Sequence, residues 1–171
     1  MNDPGAPAVH AAAPVVRFVP FDEEDFAGWL AQAIPAYALG HVEDGQWAPA
    51  EAVLRSQQAH AALLPQGLAT PGHAFMRVHV EGESAPVGLL WWAETEAAGI
   101  RGFYVYGLEV AEEARRRGIA SAALGELERL ARERHLAFVA LHVFGHNLPA
   151  RRLYEQAGFE PTNINMRKML R

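Results

Sequence analysis

Arg115-Arg116-Arg117-Gly118-Ile119-Ala120-Ser121 is the stretch that decides how the rest of this chain is read. Before it, Phe103-Tyr104-Val105-Tyr106-Gly107-Leu108-Glu109-Val110 is an apolar run with strand character. After it, a helical pattern extends to about Arg134. A basic, glycine-bearing turn between a strand and a helix suits an anion. The first N–H groups of a helix lack intrahelical partners, and the helix dipole favours negative charge there. Gly118 lets the backbone approach a ligand with no Cβ in the way. The arginines add fixed charge and forked donors. The same run also reads as a solvated corner, so its context must decide. Its spacing is neither G-x-x-x-x-G-K-[ST] nor G-x-G-x-x-G, which disfavours a mononucleotide triphosphatase or a nicotinamide enzyme. A pyrophosphate is the expected ligand.

The 171 residues suffice for one domain with a real core, and half of them are hydrophobic. Net charge is −5, so the clustered arginines run against the overall sign. That favours a local anion site over a nucleic-acid surface. With no cysteine, disulfides, thiolate metal sites and a cysteine nucleophile are excluded. No apolar run approaches the roughly 18 residues of a membrane span, and no secretory signal is recognised at the N-terminus. The expectation is a soluble cytoplasmic protein with no membrane or nucleic-acid partner.

Residues 1–14 are Ala/Pro-rich and read as a loose tail, ahead of one domain over 15–171. Residues 17–20 read as an edge strand. A helix capped by Asp22 follows and is expected to end at Pro35. Residues 37–47 read as a loop carrying His41, Glu43 and Asp44. A second helix opens at Ala48-Pro49 and stops at Pro65-Gln66-Gly67. Residues 74–80, 86–93 and 100–110 read as three strands of an antiparallel meander. Trp91 and Trp92 point to opposite sheet faces. In the helix after the arginines, Ala120, Leu124, Leu127 and Ala131 mark one face, and Glu128/Arg132 and Arg129/Glu133 pair on the other. Residues 137–144 read as a buried strand, parallel to the strand ending at Val110 because a helix crosses between them. A short helix begins at Asn147 and ends at Gly158. Residues 162–170 read as a closing strand.

Arg115-x-x-Gly118-x-Ala120 resembles the acetyl-CoA signature [QR]-x-x-G-x-[GA] of the GNAT superfamily of N-acetyltransferases. The segment from Leu141 to Phe159, with Asn147, Ala150, Tyr154 and Gly158-Phe159, resembles that family's second signature. The two stand in the family's order and spacing, over roughly residues 17–170. The resemblance implies an α/β (α+β) fold with a mixed sheet of six to seven strands and about four helices. Strands 4 and 5 would splay apart to admit the pantetheine arm, with Gly107 marking the bulge that starts the splay. It also implies acetyl-CoA as co-substrate, an amine acceptor, and an oligomeric state that admits a homodimer.

On that resemblance, Leu108, Val110, Arg115, Arg116, Arg117, Gly118, Ile119, Ala120, Ser121, Asn147, Ala150 and Tyr154 are expected to hold the co-substrate, with the Val110 N–H facing the acetyl carbonyl. Lacking cysteine, the chain is expected to work by direct attack in a ternary complex. Tyr154 is the candidate general acid; the alternative is a packing aromatic whose hydroxyl bonds the sulfur. Glu109 is the candidate base, acting through water. It is placed on one strand face with Phe103, Val105 and Gly107, in apolar company that raises a carboxyl pKa. An ion pair, an amine anchor, or water alone remain its alternatives, and Glu94, His41 and Glu43 are weaker candidates. His135, His142 and His146 fall at no known ligand spacing, so no metal is expected. Glu43 and Asp44 suit a cationic acceptor. A non-catalytic acyl-CoA sensor is the rival reading, and a longer acyl group stays open.

Overall fold

The computed structural model describes residues 13–170. The tail expected over 1–14 therefore lies mostly outside the described residues. Strand β1 (Val16–Pro20) leads into α1 (Glu23–Glu43) and α2 (Pro49–Leu63). The meander β2 (His73–Val80), β3 (Gly88–Ala97) and β4 (Ile100–Val110) follows. Then come α3 (Ile119–Glu133), β5 (Phe138–Leu141) and α4 (Leu148–Gln156). The sheet order is β1-β2-β3-β4-β5, antiparallel except for the parallel β4–β5 pair.

The sheet has two dressed faces. On one lies α3, whose Ile119, Ala123, Leu124, Leu127 and Ala131 are buried. Several of these meet Leu90, Trp92, Phe103 and Val105. Burying one such leucine contributes about 2–3 kcal/mol. The outer side of α3 carries the expected Glu128–Arg132 (2.7 Å) and Arg129–Glu133 ion pairs. On the other face Phe26 and Trp29 of α1 pack with Phe75 and Trp91. Trp91 and Trp92 thus serve opposite layers, as their adjacency requires.

Five expectations are corrected. Helix α1 does not stop at Pro35 but runs on to Glu43, so the supposed loop over 37–47 is mostly helix. Proline removes one donor, the one that would reach the Ala31 carbonyl. The helix continues because its flank is held by α2, from which Ser56 Oγ donates to the Ile34 carbonyl at 2.7 Å. Its start is as read: Asp22 and Asp25 form a reciprocal capping box. Strand β5 ends at Leu141, not at Phe144. Residues 162–170 form no strand among the described residues, so the sheet counts five strands rather than six or seven.

The β3–β4 turn places Ala98 and Gly99 both in the left-handed region, with φ of 53° and 79°. That is the two-residue hairpin geometry that favours glycine or asparagine. Ala98→Gly is expected to stabilise the chain by about 0.5–1 kcal/mol, read as a raised Tm. A lowered Tm would show that the turn tolerates its Cβ without strain.

Candidate active site

The parallel pairing of β4 with β5 covers Gly102↔Phe138 through Val105↔Leu141 and stops there. Beyond that point β4 continues to Val110 along β3 alone, so a gap opens between β4 and β5. The cause is local. Trp91 pairs with Gly107 while Trp92 pairs with Val105, leaving Tyr106 as the extra residue of a β-bulge beside Gly107.

The bulge inverts the alternation of side chains. Phe103 and Val105 face α3, but a Cβ at Gly107 would meet Trp91 and Leu89, on the α1–α2 face. Glu109, paired with Leu89, follows Gly107 and so faces the α1–α2 side. The expectation that Glu109 shares a face with Phe103 and Val105 is therefore overturned; only Gly107 of the three shares it. Leu108 and Val110 pack toward the α3 core. The backbone follows the same alternation. The Ala111 N–H donates to the Val87 carbonyl at 2.8 Å, so odd-numbered residues address β3. The N–H and C=O groups of Leu108 and Val110 then point toward the gap. The Val110 carbonyl is already taken by Arg115 Nε at 3.1 Å.

At the end of β4, a short turn delivers the chain to α3. Arg116 and Gly118 both have left-handed backbones, with φ of 62° and 78°. Helix α3 starts at Ile119 with no side chain capping its first N–H groups. Successive N–H groups in such a turn form an anion-binding concavity. A recess of about 450 Å³ lies there, lined by Arg116, Arg117, Gly118, Ser121, Ala122 and residues 13–14. The arginines differ in what they hold. Arg115 braces Val110, and Arg117 forms an ion pair with Glu83 of the β2–β3 hairpin. Arg116 has no protein partner among the described residues. Ile119 is a buried core side chain, so it offers a ligand only backbone; Ala120 and Ser121 follow it in the first turn.

Helix α4 follows β5 in the chain. Asn147 caps it, its Oδ1 accepting from the Ala150 N–H at 3.2 Å, which leaves the Asn147 NH₂ for another acceptor. Tyr154 lies one helical turn beyond Ala150, its ring 5.7 Å from Phe159. The helix closes as read, with Gly158 at φ 87° and Phe159 N–H donating to the Tyr154 carbonyl. Burial pushes the Tyr154 phenol above its ordinary value. Desolvation by the surrounding protein also raises Glu109, although the residue is exposed at the surface.

The weaker candidate bases have other employment. Glu94 is held by Arg101 (2.6 Å) and Arg134 (3.1 Å), which lower its pKa. It sits opposite Phe103, toward the other end of β4. His41 is buried, stacked 3.9 Å from Trp47, with Nδ1 bonded to Gln46. Desolvation lowers its pKa. Glu43 lies 3.4 Å from His146 at the exposed end of α1, beside Asp44. Among the described residues, no His, Asp and Glu side chains are grouped to hold a metal ion.

One feature was not read from the sequence: an aromatic wall on the α1–α2 face. Tyr106 stacks 4.7 Å from Trp91 and sits 4.8 Å from Tyr104. The Trp91 Nε1–H donates to His73 at 3.0 Å. From α1, Tyr37 reaches within 5.5 Å of His60, itself 6.4 Å from Trp91. Burial raises the pKa of Tyr37, Tyr104 and Tyr106, and Tyr104 also feels the phenols of the other two. The signal was the spacing Tyr104-x-Tyr106 within an otherwise core-forming strand.

A parallel strand pair that parts over an uncapped, arginine-flanked helix start is the architecture of an acyltransferase. Residues 36–159 match the family model described as the acetyltransferase (GNAT) family. The chain is 38% identical over 156 residues to the uncharacterized N-acetyltransferase YycN of Bacillus subtilis, covering 91% of this chain and 99% of that one. It is 32% identical over 148 residues to the uncharacterized N-acetyltransferase YdgE of the same organism, covering 86% and 94%. The crystal structure of YycN superimposes with a TM-score of 0.85 over 91% of this chain and 99% of that chain, at 35% identity. This chain belongs to the GNAT family of acetyltransferases.

Proposed function

We propose that the chain moves an acetyl group from acetyl-CoA to a primary amine, on a small molecule, a peptide N-terminus or a lysine, by direct attack in a ternary complex. The observation that carries this reading is the opening of β4 from β5, into which the Val110 N–H is directed and which ends at the uncapped start of α3.

In this reading the diphosphate rests on the N–H groups from Arg116 to Ser121, and the Asn147 NH₂ steadies the pantetheine arm. The amine stands against Tyr37, Tyr104 and Tyr106. Its proton passes to Glu109, directly or through one water, and its nitrogen bonds the thioester carbon. The Val110 N–H stabilises the oxyanion. As the carbon–sulfur bond breaks, the Tyr154 hydroxyl gives its proton to the departing thiolate, the nitrogen of the adduct loses its second proton to solvent to leave the neutral amide, and Tyr154 and Glu109 return to their starting states by exchange with solvent. Holding both substrates at contact distance supplies much of the rate.

The test is release of free thiol when the protein is mixed with acetyl-CoA and a panel of amines. Tight binding with no release from any amine would instead mark an acyl-CoA sensor. A trapped acetyl-enzyme with ping-pong kinetics would overturn direct attack. Gly118→Val is expected to raise the Kd for acetyl-CoA at least about tenfold. A branched residue there resists a φ of 78° and puts methyls where the diphosphate would lie. An unchanged Kd by calorimetry would move the diphosphate elsewhere.

A further inference from the structure

Helix α1 carries a glycine, Gly40, inside its last turn. A glycine within a helix weakens it relative to alanine, because it loses more backbone freedom on folding. The backbone of Gly40 is not left-handed, so no turn calls for it. A close neighbour does. A Cβ at Gly40 would stand 2.8 Å from Cε2 of Phe144 and 3.3 Å from two further ring atoms. The Phe144 ring takes the place that a methyl group would need.

Phe144 lies in the loop 142–147 that joins β5 to α4. Its ring is hemmed in on other sides as well. His41 of α1 and His142 each meet it edge-on at 5.1 Å, and His146 stacks on it at 5.4 Å. Glu43 of α1 adds a 3.4 Å contact to His146. With a helix backbone and three imidazoles around it, the ring has nowhere to go without carrying the loop along. The Asn147 N–H donates to the Phe144 carbonyl at 3.0 Å, and Asn147 Oδ1 accepts from Ala150. Ring, loop and helix cap are thus joined by unbroken contacts. Gly40 also lies one turn beyond Tyr37, whose ring meets His41 at 4.5 Å. The end of α1 therefore bears both the socket for Phe144 and one ring of the aromatic wall.

We infer that Phe144, seated on Gly40, is a positioning residue for the co-substrate: it fixes the loop so that the NH₂ of Asn147 stands ready for the pantetheine arm. This rests on the reading above in which Asn147 holds that arm. Phe144 itself meets no substrate; it acts through Asn147. A loop held in its bound arrangement before the ligand arrives spares the ordering that binding would otherwise require.

Calorimetric binding of acetyl-CoA, with no acceptor present, tests this. Gly40→Ala suits the helix better but forces the ring aside, and Phe144→Ala removes the ring. Each is expected to raise the Kd about fivefold or more. The two variants disturb one contact from opposite sides, so a folding failure of either leaves the other to be measured. Asn147→Ala is expected to raise the Kd at least as much. Adding Phe144→Ala to it is expected to change the Kd by less than about twofold, because the group being positioned is already gone. If Phe144→Ala leaves the Kd unchanged, or weakens binding equally with and without Asn147, Phe144 is a packing side chain and the inference alone is overturned. If Asn147→Ala has no effect, the inference falls together with the role given to Asn147.

Discussion

Tyr154→Phe is expected to lower kcat by about 10²-fold or more while leaving the Kd for acetyl-CoA within about threefold of wild type. The substitution removes one oxygen and keeps the ring, so the packing on Phe159 and the helix α4 around it are retained. What is lost is the proton that the proposed acid would supply to the leaving sulfur. Burial raises the pKa of this phenol, so it stays protonated throughout the neutral range and is fit to donate rather than to accept. A thiolate leaving without a donor must depart as an anion in a partly desolvated site, and that cost falls on the transition state alone. The discriminating measurement is the split between single-turnover rate and binding affinity. If rate and affinity fall together, the hydroxyl is a binding contact to the sulfur and the acid lies elsewhere.

The parts of this site that were legible in the sequence are those whose geometry is local. A glycine at the start of a helix, an asparagine capping another, and a tyrosine one turn beyond Ala150 are each specified by neighbours within a few residues. The parallel β4–β5 pair was legible because a crossing helix permits little else. The errors are all cases where distant packing outweighed a local rule. Pro35 is a helix breaker by itself, yet the flank against α2 carries α1 eight residues past it. The face of Glu109 was misassigned because strict alternation holds only without a bulge, and Tyr106 is a single inserted residue with no signature of its own beyond the glycine that follows it. The aromatic wall escaped notice because its members come from α1, α2, β2, β3 and β4, and only the fold brings them together. The closing strand read over 162–170 does not form, because alternating side chains make a strand only where a sheet edge receives them, and among the described residues none does.

The inverted face is also what makes Glu109 worth testing as the base. Had it stood beside Phe103 and Val105 it would point into the α3 core, away from any acceptor. The bulge turns it instead to the side where Tyr104, Tyr106 and Tyr37 stand with their hydroxyls bonded to no other described residue. Its carboxyl is raised above the ordinary 4.5 by burial, with no cation among the causes. The sign of the pH effect follows directly. A base must be ionised to act, so activity appears as pH rises through the raised pKa and is lost below it. The acid limb of kcat/KM is therefore expected above 4.5 for wild type. Glu109→Gln keeps the size of the side chain and cannot ionise, so kcat should fall by about 10²-fold or more near neutral pH. The residual rate should then climb tenfold per pH unit toward the pKa of the acceptor amine, because only amine already neutral in solution can attack. Raising the pH should in this way recover part of the loss. A variant that loses activity by the same factor at every pH would assign Glu109 to anchoring the amine. One that loses less than about threefold would leave the proton to water alone.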